Sequence, residues 1–199
     1  MSRAVIDLCA PSELARKRWT RAECEQLSEV FDQRHLELVE GELIDKRGKK
    51  RPHTNSQTLL YGWLIGVFGI GLVNSGAPID VAPEDNPTNE PVPDMIVLKR
   101  DTSCYMEGNP RPEDLQLVIE VADSSLSLDL TAKAALYGRA RIADYWVLDI
   151  AGRSMIVHRD PGEGLYRSVA SYGLEDHVAP LAAPTAFLRI GDAFVGGRR

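Results

Sequence analysis

Asp94 follows Pro93 at the head of an apolar run, EPVPDMIVL, and Glu120 interrupts another, LQLVIEVA (115–122). A carboxylate inside such a run needs compensation, because burying an uncompensated charge is costly. For Glu120 two partners are open: a Lys or Arg in a structural ion pair, or a metal ion. Asp94 reads either as the residue completing a proline turn at a strand start or as a second acid of the same site. If strands at 94–99 and 115–122 are neighbours, the two carboxylates approach one another at the sheet surface. Adjacent anions repel, so either one is protonated or a divalent cation neutralises both. Oxygen ligands without Cys or His favour Mg2+ or Mn2+, held by one or two carboxylates with water and phosphate completing the shell. Such an ion lowers the pKa of bound water and stabilises charge on a phosphoryl group under attack.

A cation lies on the next predicted helix, where Asp129, Lys133 and Tyr137 share one face at i, i+4, i+8. Lys133 reads either as half of a solvated Asp–Lys pair or as an ammonium reaching back over Glu120, where it would orient water or stabilise a pentavalent phosphate. The run KRGKKR (46–51) places five cations in six residues ahead of His53. It is either a solvated loop or, through Lys49, Lys50 and Arg51, a contact to a phosphate backbone helped by a helix N-terminus. No P-loop, GxGxxG, nucleophile elbow or HExxH is present.

These residues need elements to position them. Thr20 and Glu23 form a capping box for a first helix running to about Phe31. LELVEGELIDK (36–46) reads as two short strands around a bend at Glu40-Gly41. An apolar helix covers about 53–70, and strands are predicted near 77–82, 94–99 and 115–122, the last buried on both faces. A helix over about 129–140, begun near Ser127 or Asp129, precedes a hairpin in which DYWVLD turns at Ala151-Gly152-Arg153 into SMIVHRD. A further strand is predicted near 166–170, and AFLRIGDAF closes the chain. The pattern is an α/β domain, a mixed sheet flanked by helices, over 18–192, with an extension at 1–17 and a tail at 193–199.

The 199 residues suit one ordinary domain, and 44% apolar with 26% charged residues excludes collagen-like and wholly disordered classes. A net charge of −6 excludes histone-like binding by bulk charge. Three widely spaced cysteines without a CxxC pair argue against a disulfide framework or zinc knuckle, and for a reduced, cytoplasmic protein. Residues 58–73 carry no charge and include a GxxxG spacing at Gly62 and Gly66. That stretch falls short of the ~20 residues a membrane span needs, so a buried core helix is expected.

The order TRAECEQL, LELVEGELI, His53, PDMIV and EVADSSLSLDLTAKAALYGRARIADYWVLD resembles the Uma-type restriction endonuclease family of the PD-(D/E)XK nuclease superfamily, over about 18–192. The resemblance implies a restriction-endonuclease-like core and a divalent-metal phosphodiesterase site in which Asp94 and Glu120 ligate Mg2+ or Mn2+. The superfamily's usual lysine, two residues after the second acid, is here Ala122, and the family pattern implies that Lys133 supplies the missing cation. It also implies that Glu42, with His53, completes the site from the opposite side. The expected activity is hydrolysis of DNA phosphodiester bonds, with cleavage of two strands suggesting a homodimer. Ala122 and the net acidity keep an alternative open: a catalytically silent DNA-binding or protein-interaction domain on the same scaffold.

Overall fold

The computed structural model describes residues 17–28, 36–46 and 48–196. Helix α1 (Arg21–Ser28) starts at its capping box: the Thr20 N–H donates to Glu23 Oε2 at 2.9 Å, and the Glu23 N–H donates to Thr20 Oγ1 at 3.3 Å. Its expected end near Phe31, residues 1–16 of the extension and residues 197–199 of the tail lie outside the described residues. Strands β1 (Leu36–Val39) and β2 (Glu42–Asp45) form the expected hairpin. Glu40 and Gly41 have φ of 51° and 74°, as a two-residue type I′ turn requires.

Helix α2 (Arg51–Phe68) buries Leu60 and Leu64 completely against the sheet. Among the described residues no helix is long and apolar enough to cross a membrane. The sheet is six-stranded, in the order β3 (Val73–Asn74), β4 (Met95–Leu98), β5 (Leu115–Ala122), β6 (Asp144–Asp149), β7 (Ser154–Gly162), β8 (Leu165–Tyr172). Every neighbouring pair is antiparallel except β5 and β6. A parallel pair needs a crossover, supplied by α3 (Leu126–Leu128), a π-helical turn (Asp129–Lys133) and α4 (Ala134–Arg139) in succession. Helix formation thus begins at Leu126, slightly before the predicted start.

Strand alternation divides two cores. Leu117, Ile119 and Val121 of β5 face α2, together with Trp146 of β6 and with Ile190 and Phe194 beyond the short pair β9 (His177–Val178) and β10 (Leu188–Arg189). Val118 and Ala122 face α4, with Tyr137, Tyr145 and Val147. Glu120 falls on this second face, between Val118 and Ala122. Gly138 lets α4 sit close to the start of β8, since a Cβ there would lie 3.1 Å from the Gly164 carbonyl oxygen.

One predicted strand is absent. Residues 77–82 are extended but form no ladder: the Ile79 N–H donates to the Pro91 carbonyl and the Asp80 N–H to the Pro110 carbonyl. The edge of the sheet is instead β3, paired with β4.

His158 on β7 is buried between the rings of Tyr145 and Tyr166, at 5.1 and 5.5 Å. Burial lowers its pKa from the ordinary 6.5, against a smaller opposing effect of the Tyr145 backbone. A histidine whose folded pKa is depressed stabilises the fold above the unfolded value and loses that contribution as pH falls below it. The loss of urea midpoint between pH 7.5 and 5.5 should therefore be smaller in His158→Phe than in the wild type. Equal losses would show that this imidazole does not contribute to acid lability.

Candidate active site

Met95 pairs with Ile119, so Asp94, one residue earlier, lies opposite Glu120 where β4 meets β5. Each is only 2% exposed, and backbone amides lock them together. The Asp94 N–H donates to Glu120 Oε2 at 3.3 Å, and the Val121 N–H donates to Asp94 Oδ2 at 2.8 Å. The expected pairing of these two strands, and the meeting of their acids, is what the fold produces.

The crossover helix brings Lys133 onto Glu120. Its Nζ donates to Glu120 Oε1 at 2.8 Å, lies 2.8 Å from Glu37 Oε2 and sits 3.7 Å from Asp129 Oδ1. The π turn ending at Lys133 widens the helix by one residue per turn and leaves both Asp129 and Lys133 buried against the sheet. The Tyr137 hydroxyl donates to the same Glu120 oxygen at 3.2 Å. Asp129 is itself held, its Oδ2 accepting from Ser125 Oγ at 2.6 Å. Ala122, where the resemblance implies a lysine in related nucleases, is fully buried in the α4-side core. The helix thus delivers to Glu120 an ammonium that β5 does not.

Glu37, in the centre of β1, is the buried acid that sequence reasoning missed. It accepts from the Val92 N–H at 3.1 Å besides meeting Lys133. Glu42 is not gathered into this group: it is exposed on β2, opposite Val39, and outside the lining of the cavity. His53, in the first turn of α2, is buried with Nε2 3.3 Å from Asp94 Oδ2 and Nδ1 without a hydrogen-bond partner.

The basic run divides in two. Lys49 turns inward, its Nζ donating to Asp94 Oδ1 at 2.6 Å. Lys46 does the same between three acids, 3.8 Å from Asp94, 3.7 Å from Glu120 and 3.9 Å from Glu37, while donating to the Val92 carbonyl. Lys50 and Arg51 are exposed at the N-terminus of α2, with Lys50 3.8 Å from Asp123. Arg47 lies outside the described residues.

The charges set one another. Burial works against the Asp94 carboxylate, but His53, Lys46 and Lys49 outweigh it and hold that carboxyl well below the usual range. Burial pushes Glu120 up, to about 7, against the lowering effect of Lys133 and Lys46. Burial alone would lower Lys133, but Glu120, Glu37 and Asp129 hold it above its ordinary value. The geometry decides which partner of the pair keeps the proton: a nitrogen 2.8 Å from each of two carboxylates donates to both, so Lys133 is the ammonium.

Between these walls lies a cavity of about 120 Å³, room for a cation and several waters. Among the described residues no three acids, histidines or cysteines are grouped to hold a metal by themselves. The donor set nevertheless fits a hard divalent ion. Asp94 and Glu120 offer carboxylate oxygens toward one point, and the Lys46 ammonium already lies there, too far from either for a close hydrogen bond. Two carboxylates with water and phosphate is a coordination that Mg2+ accepts.

The family model Uma2, putative restriction endonuclease, matches residues 21–189. The chain belongs to this family. Among solved structures, a putative nuclease belonging to DUF820 from Anabaena variabilis has a TM-score of 0.61 at 16% sequence identity, covering 80% of this chain and 89% of that one. No curated protein matches the sequence. In this Uma2 member, the mixed sheet and its flanking helices are a restriction-endonuclease-like core.

Proposed function

We propose that the protein is a Mg2+- or Mn2+-dependent endonuclease that hydrolyses DNA phosphodiester bonds. The observation supporting this most strongly is the meeting of Asp94 and Glu120 around a cation position, with the Lys133 ammonium on the far oxygen of Glu120. Asp94 and Glu120 would hold the metal, which when bound supplies a water of lowered pKa and neutralises charge on the phosphoryl oxygens.

The remaining work belongs to the side chains. Lys133 and Tyr137 hold Glu120 Oε1, which leaves Oε2 directed toward the cation position. Lys133, itself buried, also sets a fixed positive charge on the cavity wall, where it favours the extra negative charge of a phosphorane. His53 orients Asp94 through Nε2. Lys50 and Arg51, exposed beside the free amides of the α2 N-terminus, bind backbone phosphates. Concerted cutting of both strands of a duplex calls for one such site on each strand, which a homodimer would supply.

The test is cleavage of supercoiled and linear DNA with Mg2+ or Mn2+ by the wild type, Asp94→Ala and Glu120→Ala. Metal-dependent cleavage by the wild type alone is expected. Equal cleavage by all three, or cleavage in EDTA, would overturn the proposal. DNA binding without cleavage under any metal would establish the silent scaffold instead.

A further inference from the structure

We infer that Lys46 and Lys49 are internal counter-ions of the acidic site, and that a divalent cation entering it displaces both ammonium groups from Asp94 and Glu120. The inference rests on the metal-binding reading above and concerns what the chain does with that position before the metal arrives. Lys133 compensates Glu37 and one oxygen of Glu120, which leaves Asp94 and the second oxygen of Glu120 to be balanced. With His53 Nε2 on one Asp94 oxygen at 3.3 Å, Lys49 at 2.6 Å from the other and Lys46 between Asp94 and Glu120 at 3.8 and 3.7 Å supply the cationic balance. An uncompensated pair of buried carboxylates would be strongly unfavourable, so the metal-free fold gains from two lysines turned inward.

The same geometry makes them removable. An ammonium and a divalent cation cannot share the same oxygens without repulsion. Lys133 is fully buried on a helix and has nowhere to go, whereas the side chains of Lys46 and Lys49 are 17% and 33% exposed, so that rotation of either would carry its ammonium outward. Lys46 and Lys49 line the cavity together with Gly48, whose φ is 89°.

Amine-directed acetylation, read lysine by lysine by peptide mass spectrometry, tests this on the wild-type protein. Mn2+ should raise labelling of Lys46 and Lys49 several-fold and leave the already exposed Lys50 unchanged. In parallel, Mn2+ titration should show Lys46→Met binding roughly tenfold more tightly than the wild type, since the competing charge is gone. If Mn2+ binds the wild type and not Asp94→Asn, yet neither labelling nor the Lys46→Met affinity moves, the counter-ion inference is overturned and the metal reading stands. If none of the three proteins binds Mn2+, both fall.

Discussion

Lys133→Met should cost the fold about 3–5 kcal/mol and remove cleavage activity at the same time. Methionine nearly matches lysine in volume, so the loss is not that of a cavity. What disappears is the one ammonium that lies 2.8 Å from both Glu120 and Glu37 and 3.7 Å from Asp129, in a region with almost no solvent access. Breaking a buried pair by removing one partner is far more damaging than never having had the pair, because the stranded charges stay behind. The sign of the pH dependence follows. Burial already pushes Glu120 upward, and removing Lys133 takes away the largest opposing influence. A carboxyl whose folded pKa lies above its unfolded value stabilises at low pH and loses that contribution as pH rises through the folded value. The deficit of Lys133→Met, measured by urea unfolding in EDTA, should therefore be larger at pH 8 than at pH 5. An unfolding free energy within about 1 kcal/mol of the wild type at pH 8 would mean that the ion-pair account of this cluster is wrong.

Much of that cluster is legible in the amino-acid sequence, for specific reasons. Glu120 stands out because a β-strand buried on both faces has no outward position for a charge, so an acid there has to be explained. Lys133 is found by helix periodicity once Glu120 demands a partner. Glu37 escapes because Leu36-Glu37-Leu38 in a short hairpin strand reads as ordinary alternation, with the acid pointing outward. In the fold this strand is buried around Glu37, Leu38 and Val39 together, so alternation no longer separates inside from outside. The hairpin does contribute an acid to the site, but it comes from β1 and not from Glu42 on β2. Nothing in KRGKKR distinguishes the lysines that turn inward from the exposed pair. That choice is made by where α2 begins relative to the ends of β4 and β5, a tertiary fact with no local signature.

Strand prediction failed at 77–82 for a comparable reason. Ile79 and Val81 are fully buried, and their spacing looks like one face of a strand. Yet a ladder needs a neighbour with regular donors and acceptors. The segments alongside offer Pro91 and Pro110 carbonyls, and Pro78 contributes no donor of its own. The result is an extended segment packed as core without entering a sheet. The π turn at Asp129–Lys133 was equally invisible, since a single i→i+5 turn leaves no mark on composition. Its effect is considerable, because it turns Asp129 and Lys133 together onto the sheet.

Asp94→Asn should separate chemistry from stability where Lys133→Met loses both. Asparagine keeps an oxygen that can accept the Val121 N–H, so the link to β5 survives. Lys46 and Lys49 lose an anionic partner, but their side chains already reach solvent and can leave the cavity; His53 loses the acceptor at its Nε2. The stability cost should therefore stay near 1–2 kcal/mol. Cleavage should fall on the order of a thousandfold, because a neutral amide cannot balance a divalent ion and several kcal/mol of charge stabilisation at the phosphoryl group go with it. DNA affinity should hold or rise. The chain carries a net charge of −6, the cavity holds several of its acids, and removing one lowers the repulsion felt by an incoming phosphate. Fluorescence anisotropy with a short duplex in EDTA, set beside the cleavage assay in Mn2+, reads both quantities on one preparation. Cleavage within tenfold of the wild type would take Asp94 out of the chemistry. A thousandfold loss with tighter DNA binding and an almost unchanged unfolding midpoint is the combination that a metal ligand produces and a purely structural acid does not.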